Sequence, residues 1–150
     1  MDKTFGTFNE ILVGLFNEIM SIEEKAVITE EFKDISNNDM HIIEAIGKDD
    51  KKNMSSVAKK LGVTVGTLTI AINSLVKKAY VNRERSEKDR RVVLISLTKK
   101  GERAYDHHKH FHDEMVRATV DGLNEDDKDV LVRALSNLSA FFKSYGSSRR

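Results

Sequence analysis

The sequence predicts a mainly α-helical (α+β) fold, in which a helix-turn-helix followed by a β-hairpin is flanked by long amphipathic helices. Three observations predict it. Proline is absent from 150 residues, where ordinary usage of about 5% would supply roughly seven, so no helix interior is broken. Apolar residues recur at three- and four-residue steps in both end regions. Between them lie two short helical patterns joined by a glycine bend, then two β-rich runs around a polar link. The length fits a single domain over 1–150.

The elements follow in order. Phe8, Ile11, Leu12, Leu15, Phe16, Ile19 and Ile22 form one wide apolar helix face, which Val13 and Met20 broaden. After a polar stretch, Asn37 or Asn38 caps a short helix carrying Met40, Ile43 and Ile46, and Gly47 ends it. Residues 48–52 read as a charged loop. Asn53 caps the next helix, with Val57, Ala58 and Leu61 inward and Gly62 in the turn. Thr64 caps another, running to about Ala79 with Leu68, Ile72, Leu75 and Val76 inward. Two helices this close, bent at glycine, are a helix-turn-helix.

Residues 80–85 and 91–97 are β-rich, and the polar link 86–90 closes them into a hairpin. Helix, turn, helix and hairpin together make a winged helix over about 36–98. Thr98 then caps a long helix to about Asp121, stopped by Gly122, with Ala104, His108, Phe111, Met115 and Ala118 on one face. Asn124 caps a final helix through Val130, Leu131, Leu135, Leu138 and Phe142, and 146–150 reads as a frayed tail. The end regions, about 5–30 and 99–145, carry more apolar surface than a winged helix can cover. They are expected to pack across two chains as a homodimer.

Charge is segregated beneath a net of +1. Residues 1–50 hold 4 basic and 12 acidic side chains, 51–103 hold 14 and 4, and 104–150 hold 7 and 8. The basic middle block calls for a polyanion, and double-stranded DNA suits a helix-turn-helix. Catalysis finds no footing: there is no cysteine, no glycine-rich phosphate loop and no serine in a triad context, so the chain is not expected to be an enzyme. Absence of cysteine also removes disulfides and thiolate metal sites. Asp2, Glu10 and Glu18 interrupt the apolar start, and no run approaches a membrane span, so a soluble, cytoplasmic protein with no membrane partner is expected.

Asp89-Arg90-Arg91, followed by the strand ending Leu97-Thr98-Lys99-Lys100-Gly101, resembles the wing and dimer-helix start of the MarR family of dimeric winged-helix regulators. Leu61-Gly62-Val63-Thr64 and Leu75-Val76-Lys77-Lys78-Ala79-Tyr80 match the same family, and the resemblance covers nearly the whole chain. Within it, Phe32-Lys33-Asp34-Ile35-Ser36, Met40-His41 with Ile46-Gly47-Lys48, Val65-Gly66-Thr67 and the segment 85–93 are similar to the FabT-type repressors of bacterial fatty-acid synthesis. The resemblance implies a transcriptional repressor, with one recognition helix per subunit in successive major grooves of a palindromic operator. It also implies an acyl-acyl carrier protein as corepressor rather than a resident cofactor.

On the helix opened by Thr64, the side away from the core carries Gly66, Thr67, Ile70, Asn73, Ser74 and Lys77, with Val65 and Thr69 at the same end. Thr67 and Asn73 donate and accept, while Val65 or Ile70 meets thymine methyls, which suits an A·T-rich site. Many MarR relatives carry a basic residue where Ile70 stands. Ser55, Ser56, Lys59, Lys60, Lys77 and Lys78 are candidates for phosphate contacts, and the wing supplies Arg83, Arg85, Lys88, Arg90 and Arg91. By resemblance Arg91, steadied by Asp89, enters the minor groove, although the two also make a plain surface pair across a turn.

The family's effector crevice maps onto Leu12, Phe16, Ile19, Met40, His41, Ile43, His108 and Phe111, residues that a filled core explains equally well. His108 and His112 stand one turn apart, and His41 and the Glu23/Glu24 pair lie on other helices. Two alternatives therefore stand beside a lipid-sensing repressor. One is a zinc-responsive repressor using Glu24, His41, His108 and His112; the other is a winged-helix module for protein contacts.

Overall fold

The computed structural model describes residues 2–27 and 29–147, with the side chains of Glu24, Ala26 and Val27 outside the description. The chain forms two compact units, 1–111 and 112–150. In the first, α1 (Lys3–Val27) is followed by a turn that buries Phe32 and Ile35, then by α2 (Asn37–Ile46). In sequence this turn is polar, and the α2 cap is expected at Asn37 or Asn38. Ser36 is the cap: its hydroxyl accepts from the Asp39 N–H at 3.1 Å while the Asp39 carboxylate accepts from the Ser36 N–H at 3.1 Å. This reciprocal pair satisfies two helix-end donors, which neither asparagine could do from inside the first turn.

β1 (Lys52–Asn53), α3 (Met54–Leu61), α4 (Val65–Lys77), β2 (Val81–Arg85) and β3 (Val93–Leu97) complete the winged helix, giving an antiparallel sheet of order β1-β3-β2. The expected 48–52 loop thus ends in a two-residue strand, pairing Lys52 with Ile95 and Asn53 with Leu94. Too short for a period-2 signature, it forms because β3 offers a free edge. Asn53 caps α3 by accepting from the Ser56 N–H at 2.7 Å, and Thr64 caps α4 by accepting from the Thr67 N–H at 3.1 Å. Gly62, at φ 69°, takes the left-handed turn between them. Met40, Ile43, Ile46, Val57, Leu68, Ile72, Leu75, Tyr80 and Ile95 fill the core.

The wing joins α5 (Lys99–Val120) through a knot of backbone contacts around Tyr80. The Tyr80 N–H closes α4 on the Leu75 carbonyl at 2.9 Å, and its own carbonyl accepts from the Thr98 N–H at 3.0 Å. The Thr98 hydroxyl donates to the Ala79 carbonyl at 2.6 Å and accepts from the Gly101 N–H at 3.1 Å, so it caps α5 and binds the end of α4 at once. Gly101 is buried against this knot, and a β-carbon there would lie 2.2 Å from the Tyr80 oxygen. The spacing Leu-Thr-x-x-Gly is therefore a packing rule. The Tyr80 phenol is buried and donates to Asp34 at 2.6 Å; burial, then that hydrogen bond, push its pKa well above the usual tyrosine value. The same bond, with help from Lys100 and Lys78, holds the Asp34 carboxyl below the ordinary carboxylate range.

In the second unit, Gly122, at φ 85°, turns the chain and Asn124 caps α6 (Glu125–Ser147) by accepting from the Asp127 N–H at 2.8 Å. The tail expected from 146 is helical through Ser147, and 148–150 lie outside the described residues. No helix among the described residues is long and apolar enough to cross a membrane.

Gly101→Ala gives a clean test of the knot. Helix propensity alone would make the alanine better by about 1 kcal/mol. The Tyr80 oxygen is backbone and cannot swing away, so overpacking of about 1–3 kcal/mol or more wins. Urea unfolding should show net destabilisation, with a lower midpoint than the wild-type chain.

Candidate nucleic-acid interface

Thr64, Val65, Gly66, Thr67, Ile70, Asn73 and Lys77 are all exposed along one side of α4, and Thr69 is half-buried beside them. Ile70 stands out at 75% exposure, an apolar side chain held in solvent by the core packing of Leu68 and Ile72 on either side. The Thr64 hydroxyl bonds that of Thr67 at 3.0 Å, while Thr69 donates to the Val65 carbonyl at 2.8 Å. Ser55 and Ser56 are exposed on the first turn of α3.

The hairpin register decides where the wing's cations go. Val81 pairs with Leu97 and Arg83 with Ile95, so Arg83 stands on the inner, core-facing side of β2 and Glu84 on the other. From there the Arg83 guanidinium donates to the Asn73 side-chain oxygen on α4. Glu84 instead pairs with Lys51. Arg85 donates to the Arg90 carbonyl at 2.8 Å, which folds it across the base of the wing tip. A cleft of about 750 Å³ opens between wing and helix, lined by Ser55, Val65, Thr69, Arg83, Arg85 and Arg91 among others.

At the tip, the Ser86 N–H donates to the Val92 carbonyl and the Val92 N–H to the Asp89 carbonyl, both at 2.9 Å. The Asp89 carboxylate accepts from the Arg91 guanidinium Nε and Nη2, each at 3.1 Å, and from the Arg91 backbone N–H at 3.1 Å. Those bonds, the guanidinium's first, lower the Asp89 pKa. Arg91 is nonetheless 91% exposed, so the pair aims the cation without covering it.

The basic block divides by function of place. Lys78 pairs with Asp39, Lys100 with Asp34 and Arg103 with Glu31, and just before the block Lys48 pairs with Asp106. Among the described residues, no acidic side chain pairs with Lys59, Lys60, Lys77, Lys88 or Arg90. These exposed cations of α3, α4 and the wing tip are left for an external anion.

A second constellation lies where α1, α2 and α5 meet in the first unit. Glu23 Oε1 is 3.6 Å from His41 Nε2 and 3.8 Å from His108 Nε2, and Glu44 is 3.5 Å from His108. Glu23, His41 and His108 each bring one ligand atom within 4.8 Å of the others, a nitrogen and oxygen donor set that fits a zinc-like ion. It also fits a hydrogen-bonded histidine pair. The expected carboxylate was Glu24, whose side chain lies outside the described residues; Glu23 is the one buried beside the imidazoles. His112 belongs to the second unit. Of the expected crevice, Met40 and Ile43 are in the filled core, Leu12 and Phe16 are exposed on α1, and Ile19 and Phe111 are half-buried.

A helix-turn-helix with a wing and one unneutralised cationic face defines a winged helix-turn-helix transcriptional regulator of MarR type. Residues 24–107 match the family "Transcriptional regulator SarA/Rot", and the chain belongs to that family. It is similar to Streptococcus pneumoniae FabT, seen in a crystal structure in complex with DNA: 43% identity, covering 93% of this chain and 98% of that one, with a TM-score of 0.82. The regulator SarZ of Staphylococcus haemolyticus is 30% identical over 105 residues, 70% of each chain. A MarR transcriptional regulator from Methanosarcina mazei, at 22% identity, 93% and 98% coverage and a TM-score of 0.66, shares the fold. Such regulators are not enzymes, as the sequence reading expected.

Proposed function

We propose that the chain is a homodimeric repressor that binds a palindromic, A·T-rich DNA duplex, controls fatty-acid biosynthesis genes and takes acyl-acyl carrier protein as corepressor. The segregation of unpaired cations onto the α4 and wing face carries the DNA reading. Likeness to FabT, whose crystal structure contains DNA, supports it. In the proposed docking, α4 lies in the major groove with Thr67, Ile70 and Asn73 at base edges. Ser55, Ser56, Lys59, Lys60 and Lys77 hold phosphates, and Arg91 enters the minor groove.

Dimerisation rests on exposed apolar helix faces: Phe5, Phe8, Ile11, Leu15 and Phe16 on α1, and Val130, Leu135, Phe141 and Tyr145 on α6. Faces this long and apolar mark an interface, and a second copy would cover both and set two α4 helices one groove turn apart. Sedimentation equilibrium at micromolar concentration should return twice the chain mass. A folded monomer there would remove the dimer.

Salt titration of duplex binding should give a steep slope, about −0.9 per phosphate neutralised. Arg91→Ala should weaken binding strongly and flatten the slope by about one per subunit. An unchanged affinity and slope would leave Arg91 as a surface ion pair with Asp89.

The effector reading places an acyl chain along Leu12, Phe16, Ile19 and Phe111, with His41 and His108 at its edge; it rests on the sequence resemblance to FabT-type repressors of fatty-acid synthesis. The Glu23, His41 and His108 constellation favours a second reading, zinc as the signal. Long-chain acyl-acyl carrier protein should tighten operator binding by roughly 1–3 kcal/mol of coupling, and a strong chelator should change it little. Loss of binding on chelation, restored by zinc alone, would reverse that order. Fluorescence anisotropy of a labelled duplex reads both.

A further inference from the structure

The contact between Arg83 and Asn73 bears on which base the recognition helix reads. We infer that Arg83 is a positioning residue that sets base preference through Asn73, by fixing its carboxamide so that only the amino group faces the DNA. The inference rests on the proposed docking of α4 in the major groove.

Alternation along β2 puts Arg83 on the same side as the buried Val81, but two residues further out, where the core has ended and the exposed side of α4 is within reach. Its guanidinium meets the Asn73 oxygen there. A guanidinium has donors only and keeps its proton at any physiological pH. The reverse amide orientation would set the Asn73 NH₂ against another donor, so a single orientation survives.

A free asparagine in the major groove forks onto adenine, accepting from N6–H and donating to N7. With its oxygen turned to a cation, Asn73 loses that fork: the adenine amino group would approach a site already occupied by positive charge. What remains is a donor. It suits edges that present acceptors, guanine N7 and O6 or thymine O4, and disfavours cytosine, whose major-groove edge offers an amino donor. That leaves thymine or guanine as the preferred bases at the Asn73 position, while the exposed Ile70, one turn earlier, can meet a thymine methyl at its own. The expectation that Asn73 both donates and accepts is thereby narrowed to donation.

The test uses the full-length protein and a duplex library randomised over about 20 base pairs, roughly two turns of half-sites, with enriched sequences read after selection. Wild type should enrich thymine or guanine at the position whose preference vanishes in Asn73→Ala. Arg83→Gln, which is neutral and tolerates both amide orientations, should shift that position towards adenine by about fivefold or more, within the range of one bidentate base contact, and leave other positions alone. Asn73→Asp keeps the acceptor Arg83 needs but replaces the donor, and should lose the thymine or guanine preference at the same position. Circular dichroism checks that each variant is folded.

If Arg83→Gln weakens all sequences alike, flattens the salt slope and leaves the base distribution unchanged, Arg83 is a phosphate contact and the inference is wrong. It is equally wrong if Asn73→Ala changes no position. If wild type shows no salt-dependent duplex binding at all, the proposed function fails and takes this inference with it.

Discussion

The close approach of the Tyr80 carbonyl to Gly101 is the contact on which the rest of the winged helix depends. Four elements converge on it: the C-terminus of α4, the first residue of β2, the last of β3 and the first turn of α5. Ala79 takes φ 65° to make the turn, a conformation that costs a non-glycine residue roughly 1–2 kcal/mol. Hydrogen bonds from the Tyr80 N–H to Leu75 and from the Ala79 N–H to Val76 close the helix and offset that strain. Because Thr98 binds Ala79 and Tyr80 while capping α5, the recognition helix and the wing share one anchor and cannot drift independently.

Electrostatics then acts on this rigid pair. Acidic partners for Lys48 and for four cations of the basic block come from α5, β2, α2 and the Phe32 turn. Exposed ion pairs of this kind contribute only about 0–1 kcal/mol each to stability. Their larger consequence is spatial. Neutralising Lys48, Lys51, Lys78, Lys100 and Arg103 within the chain leaves the outward field concentrated on the helix and wing, so a protein with a net charge of only +1 presents a strongly polar face.

Helix periodicity and the capping residues Asn53, Thr64, Thr98 and Asn124 were legible because each depends on sequence-local geometry. The hairpin was legible from an alternating run opening on Tyr80-Val81 and a β-branched run, Val92-Val93-Leu94-Ile95, around a charged turn. What escaped depended on long-range partners. β1 exists only because β3 has an edge, and the Phe32 turn is buried only because Tyr80 and His107 lie against it. Glu23 meets the histidines, and the sequence could not single it out because adjacent helical residues differ by about 100° and the apolar stripe of α1 is too wide to fix that phase. Arg83 was read as one wing cation among five. Period-2 alternation from Val81 was the signal that could have placed it on the inner side of the strand.

The same geometry constrains how any signal could reach the DNA face. α2 carries His41 towards Glu23 of α1, while its neighbours Met40 and Ile43 are locked in the core. A ligand acting on the histidine side cannot deform that core continuously, since close-packed side chains resist small displacements. It has to move α2 as a body or leave it alone. Drawing Glu23, His41 and His108 together would therefore act on α2 as a whole, because its core side cannot yield by itself.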